Sequence, residues 1–166
     1  MRFRESGVVN DLLWTTQRYD ELTLDRLYAI LAARAAVFVV EQACAYQDLD
    51  GLDRDSLHVA AWAPARTIMA YARITPPGTR FGEPSIGRVL TTAAVRREGL
   101  GRVLMQRCLA EAACRYPGQS IRISAQQYLE HFYRQLGFRT VRGPYSEDGI
   151  PHLEMLCDRD SEQRQR

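Results

Sequence analysis

The sequence predicts an α/β (α+β) fold in which a central mixed, mostly antiparallel sheet of about six to seven strands is flanked by helices. Three observations carry the prediction. Two apolar runs at residues 57–63 and 68–74 flank a Pro64-Ala65-Arg66 turn, as the arms of an antiparallel hairpin do. One long amphipathic stretch follows Gly101. Strand-length apolar segments stand on both sides of it, so the order is strand, helix, antiparallel strands, helix, strand, helix, strands.

In chain order, residues 1–11 read as a loose leader and residues 158–166 as a polar tail, leaving 12–157 as one domain without linker or repeat. Residues 12–16 form a first strand. Thr23 then caps a helix whose Leu24, Leu27, Tyr28, Leu31 and Phe38 recur at helical spacing. From Glu41 to Asp55 the chain turns polar and acidic, with Asp48, Asp50 and Asp53 around Gly51, and reads as a loop. After the hairpin, Pro76, Pro77 and Gly78 break the chain before a strand at 85–91. The helix after Gly101 carries one apolar stripe of Leu100, Leu104, Met105, Cys108, Leu109, Ala112 and Tyr116, and stops before Pro117-Gly118. A strand at 121–125, a short helix at 128–136 stopped by Gly137, and strands at 138–141 and 152–157 complete the domain.

At 166 residues the chain can bury a substantial core without disulfides or metal, and 46% hydrophobic with 25% charged residues is the balance of an ordinary globular protein. A formal net charge of +2 provides no general basic surface. Nucleic acid is therefore not an expected partner, and any anion site has to be local. All 22 basic residues are arginine, which excludes a Schiff-base lysine and a Walker-type phosphate lysine. Cys44, Cys108, Cys114 and Cys157 show no CxxC spacing, no apolar signal core opens the chain, and no apolar run approaches the roughly 20 residues that span a bilayer. A cytoplasmic protein without membrane contact is the expectation.

The stretch Arg96-Arg97-Glu98-Gly99-Leu100-Gly101 stands where the strand at 85–91 gives way to the long helix. Glycines at 99 and 101 allow close backbone approach, and the free amides at a helix start, backed by its dipole, favour an anion. Arg96, Arg97 and Arg102 add fork-shaped donors suited to a pyrophosphate. A tight strand-to-helix turn without a ligand explains the glycine pair equally well. Two phosphate motifs are excluded: the Walker loop needs lysine, and the dinucleotide fingerprint needs a third glycine where Leu104 stands.

A second element lies downstream, Phe132-Tyr133-Arg134-Gln135-Leu136-Gly137-Phe138. Arg96, Gly99 and Gly101, followed by a strand and then by Phe-Tyr-x-x-x-Gly-Phe, resemble the two core motifs of the GCN5-related N-acetyltransferase (GNAT) superfamily. Arg34-Ala35-Ala36-Val37-Phe38-Val39-Val40-Glu41-Gln42, Tyr46-Gln47-Asp48-Leu49-Asp50-Gly51 and Glu147-Asp148-Gly149-Ile150-Pro151-His152 extend the resemblance to the ElaA-like branch. It covers nearly everything from Leu12 to Cys157. Many relatives carry Asn seven residues before the tyrosine; here the position is Gln126, an amide that can still donate toward the cofactor with a different reach.

The resemblance implies an enzyme that transfers the acetyl group of acetyl-CoA to a primary amine by direct attack. The co-substrate would lie in a gap between splayed strands, its pyrophosphate on Arg96, Arg97, Gly99, Leu100, Gly101 and Arg102. Its pantetheine arm would run along Val89, Leu90 and Thr91, where the amide of Leu90 or Thr91 polarises the thioester carbonyl. Tyr133 is the implied proton donor to the leaving thiolate, whereas Phe132 reads as core. Glu41 stands first among the candidate bases, before His58 and His152. These histidines, with Asp48 and Asp50, are expected on the acceptor side, where carboxylates attract a cationic amine. A solvated loop for the aspartates and a structural strand position for His58 are the plainer alternatives. No metal is expected: read as a calcium loop with Gly51 sixth, the first ligand would be Tyr46 and the twelfth Leu57.

Two other functions fit the same motifs. A non-catalytic acyl-CoA sensor would keep the glycine loop and have no use for Tyr133, and an acyltransferase using another acyl-CoA would need a larger acyl tunnel. Two copies would pair through the exposed sheet edge or the last strands if the protein is a homodimer, which composition does not decide.

Overall fold

The computed structural model describes residues 11–158, so the expected leader and tail lie outside it apart from Asp11 and Asp158. β1 (Leu13–Arg18), β2 (Leu57–Ala63), β3 (Thr67–Thr75) and β4 (Ser85–Thr91) form an antiparallel meander. β5 (Ile121–Gln126) joins β4 in parallel, and the β6 (Arg139–Glu147) and β7 (Ile150–Cys157) hairpin closes the sheet in the order β1-β2-β3-β4-β5-β7-β6. This is the mixed, mostly antiparallel sheet the sequence predicts, with α1 (Leu24–Arg34), α2 (Leu100–Arg115) and α3 (Glu130–Arg134) around it. Among the described residues no helix is long and apolar enough to cross a membrane.

Residues Leu57 to Trp62 of β2 are all buried, as are eight successive residues of β3, because helices cover both faces of the sheet here. On one face α2 packs Leu100, Leu104, Met105, Cys108 and Ala112 against Val59, Ala61, Ala70 and Ile123. This stripe is the predicted one. On the other face Ile30 and Ala33 of α1 meet Ala60, Trp62, Tyr71 and Leu90. Thr23 caps α1 as expected, its Oγ1 accepting from Arg26 N at 3.2 Å. The buried face of α1 is rotated from the predicted stripe, however. Leu24 and Tyr28 stand in solvent at 84% and 78% exposure, and Ile30, Ala33 and Arg34 point inward. The helix turns this way because Arg34 is its buried anchor, for reasons given below.

Two departures from regularity open the sheet. β4 and β5 pair only at Ser85 and Arg122, where Arg122 N donates to Pro84 O at 3.0 Å; beyond that point no ladder joins them. Within β4, Leu90 faces Tyr71 but Gly87 faces Arg73, so β4 carries one extra residue between them. Arg88 in this bulge has a φ of 54°, a left-handed conformation that a non-glycine residue holds only when its surroundings impose it.

α1 continues into a wider π-helical segment, Ala35–Glu41, in which Gln42 N and Cys44 N reach back five residues to Val37 O (3.3 Å) and Val39 O (3.1 Å). The β6–β7 hairpin is longer than expected. Gly143-Pro144 lies within β6, where the ladder absorbs it in a register shift between Arg142 and Tyr145, and Asp148-Gly149 makes the turn with both φ angles positive.

Candidate active site

The gap between β4 and β5 is the floor of a cleft of about 530 Å³. Val89, Leu90 and Thr91 line one wall, Ile123 to Gln126 the other, and Phe132 and Tyr133 of α3 close one end. The bulge at Arg88 turns the following backbone of β4 along this gap. Past Ser85 the β5-facing backbone groups of β4 have no partner strand, an arrangement ready to pair with an extended polar arm.

At the start of α2, Gly99 holds a φ of 81° and caps the helix, and Gly101 faces the cleft. A Cβ at Gly101 would lie 3.9 Å from both Phe132 Cζ and Thr91 Cγ2, in ordinary contact and on the side of the cleft. Arg97 is exposed, and Arg102 donates to Gln135 Oε1. Leu100 buries its side chain in the core at 1% exposure, so only its backbone can serve a ligand. Arg96 spans the cleft mouth, donating Nε to Thr91 O at 3.2 Å and both terminal nitrogens to the Glu41 carboxylate.

That pair changes the reading of Glu41. The hydrogen bonds from Arg96 hold its carboxyl below the usual range, which weakens it as a base. Gln126 lines the cleft with its amide engaged, Nε2 donating to Gln42 Oε1 at 3.1 Å. Tyr133 is 6% exposed, held edge-on by Phe132 and Phe138. Burial pushes its phenol well above the ordinary tyrosine range, so it remains a protonated donor.

Asp48, Asp50 and His58 do not line the cleft; they join a hydrogen-bonded network around the buried Arg34, Asp53 and Arg73. Arg34 Nε donates to Asp48 Oδ2 at 2.8 Å and its Nη1 to Asp53 Oδ1 at 2.6 Å. Arg73 holds Asp50 with two bonds of 2.7 Å and shares Asp53 Oδ1 at 3.0 Å. Arg88 Nη2 donates to Asp48 O at 2.9 Å and to Asp50 Oδ2 at 3.2 Å. The aspartates thus neutralise three arginines and clamp the acidic loop to the bulge. His58 Nε2 donates to Asp53 O at 2.9 Å, which leaves Nδ1 to accept from the Tyr71 hydroxyl at 2.8 Å. Burial lowers its pKa, and with both nitrogens engaged it is a structural histidine.

His152 does line the cleft, with Nδ1 2.8 Å from Ile150 O. Beside it is a group the sequence reading missed: Ser124 Oγ bonds to the Tyr145 hydroxyl at 2.6 Å and donates to Glu147 at 2.8 Å, and Arg80 pairs with Glu147 at 3.0 Å. Only the register of the β6–β7 hairpin brings these residues together. Among the described residues no cluster of His, Cys, Asp or Glu is arranged to hold a metal ion. Cys108 lies in the core, where burial pushes its thiol up.

A parallel strand pair separates over a bulged strand, with a glycine-opened helix start at one end and a buried tyrosine beside it. Residues 20–159 match the family model described as an acetyltransferase (GNAT) domain, and the chain belongs to that family of acyltransferase enzymes. Within it the chain is ElaA-like, 40% identical to protein ElaA of Escherichia coli over 144 residues, 86% of this chain and 94% of that one. The crystal structure of Escherichia coli ElaA matches with a TM-score of 0.83 at 38% identity, over 89% of this chain and 99% of that one. An acyl-CoA N-acyltransferase from Pseudomonas aeruginosa matches with a TM-score of 0.83 at 42% identity, over 87% of this chain and 98% of that one.

Proposed function

We propose that this enzyme transfers the acetyl group of acetyl-CoA to a primary amine, of a small molecule or a peptide, by direct attack in a ternary complex. The observation that carries the reading is the unpaired stretch of β4 facing the gap, with the protonated phenol of Tyr133 buried at its end. Backbone groups of Val89, Leu90 and Thr91 hold the pantetheine arm, and an amide of Leu90 or Thr91 stabilises the oxyanion. The start of α2, from Gly99 to Arg102, takes the pyrophosphate, with Arg96 and Arg97 beside it. Tyr133 protonates the departing thiolate.

The test is purified protein with acetyl-CoA and a panel of amines, read as free thiol. Because the chain has no lysine, lysine self-acetylation adds no background. Wild type is expected to release thiol with at least one amine, and Tyr133→Phe to lose about 100-fold in kcat while binding acetyl-CoA normally. Acetyl-CoA binding without thiol release across the panel would refute the transfer reading in favour of a sensor.

A further inference from the structure

Along the β5 wall of the cleft and its neighbour β7, side chains point to opposite faces of the sheet. Ile123, Ala125 and Leu153 point into the cluster that holds α2 and Tyr133. Side chains alternate along a strand, so Ser124, Gln126 and His152 point to the other face, and Gln126 and His152 are register partners. Tyr133 therefore serves the gap from one face and His152 from the other. A carbonyl attacked by an amine while it expels a thiolate needs a proton acceptor on the side of entry and a donor on the side of departure.

The tautomer of neutral His152 is set by its strand. Ile150 O can only accept, so the 2.8 Å contact assigns the proton of the neutral ring to Nδ1 and leaves the Nε2 lone pair outward. Among the described residues nothing hydrogen-bonds Nε2. The ring is fixed in place by Tyr145, stacked at 6.2 Å between centroids and 29° between planes, whose own hydroxyl is held by Ser124. The other ionisable groups of this side of the cleft are Glu147 and Asp148 at the β6–β7 turn, Arg80 on Glu147, Tyr46 and Cys44 in the acidic loop, and Arg88, which is paired with Asp48 and Asp50. Glu41 is spent on Arg96, and His58 has no free nitrogen.

We propose that His152 is the proton acceptor of the transfer, a role that rests on the acetyltransferase reading above. As the nitrogen–carbon bond forms and the carbon–sulfur bond breaks, the proton lost by the amine goes to Nε2, directly or through one water. The thiolate takes its proton from Tyr133. The imidazolium then returns its proton to solvent, from which the phenolate is reprotonated.

The experiment compares wild type, His152→Ala and His152→Gln for kcat and kcat/KM across pH, with acetyl-CoA affinity measured separately; the glutamine variant guards against a folding defect in the alanine one. The expected result is a loss of about 100-fold or more in kcat for both variants with acetyl-CoA affinity retained. The acid limb of the wild-type profile disappears, and added imidazole restores part of the rate of His152→Ala. A wild type that turns over beside variants within about threefold of it, with the acid limb intact, overturns the role of His152 alone. A wild type inert toward every amine overturns the transfer reading and this role with it.

Discussion

Replacing Asp53 with alanine takes a shared anion from between two buried guanidiniums. Its Oδ1 accepts from Arg34 Nη1 at 2.6 Å and from Arg73 Nη1 at 3.0 Å, and neither arginine is more than 1% exposed. The comparison is therefore with breaking a buried ion network, at about 3–5 kcal/mol, and not with losing surface bridges worth at most about 1 kcal/mol. Arg34 keeps Asp48 and Arg73 keeps Asp50, which places the expected loss at the lower end, about 3 kcal/mol. In a chain of this length that lowers the melting midpoint by about 6–12 °C. Calorimetry at neutral pH measures it, with Asp53→Asn expected between alanine and wild type because an acceptor oxygen remains. Burial opposes the charge on Asp53, but the bonds and charges of Arg34 and Arg73 prevail and hold the carboxyl below its ordinary value. Its stabilisation is thus present above the ordinary carboxylate range and lost as pH falls through the lowered value, so the deficit of the variant narrows in acid. An alanine variant melting within about 2 °C of wild type at neutral pH would refute the account of the network.

Glu41→Gln separates two roles at the cleft mouth. If Arg96 must leave Glu41 to reach the pyrophosphate, the variant binds acetyl-CoA a few-fold more tightly in a calorimetric titration with kcat nearly unchanged; a loss of about 100-fold in kcat would instead make Glu41 the base. Gly101→Ala tests the start of α2. The added methyl meets only ordinary contacts of 3.9 Å and removes a helical glycine, so urea denaturation is expected to show a gain of up to about 1 kcal/mol. Acetyl-CoA affinity is expected to fall about tenfold, and unchanged affinity would remove Gly101 from the phosphate site.

The elements most readable in the sequence are those whose own residues carry their pattern, such as α2 with its single stripe and the β2–β3 hairpin with its proline turn. The glycine loop and Tyr133 stand out in the sequence because each motif is local, and both line the cleft. The rotation of α1 was not, since Leu24 and Tyr28 repeat at helical spacing as well as Ile30 and Ala33 do; the choice between faces is made by Arg34, whose partners Asp48 and Asp53 lie on a distant loop. The ion pairs of the aspartates are hidden from the sequence for the same reason: nothing local to the acidic loop shows that the arginines of α1, β3 and β4 converge on it. His58 gave no hint of its side, because β2 is buried on both faces and shows no alternation. The Ser124, Tyr145 and Glu147 group depends on the hairpin register, which shifts between Arg142 and Tyr145 and is not set by any local pattern.

The single bridge between Ser85 and Arg122 divides the sheet into two ladders, β1 to β4 and β5 to β7, that share one hinge point. Arg122 rivets that hinge through Glu83 before β4 and Glu154 on β7. On the proposed function, a thioester arm bound in the gap would stand in for a missing strand and join the two halves into one cooperative sheet, so part of its binding energy would be realised as folding stability shared across the gap.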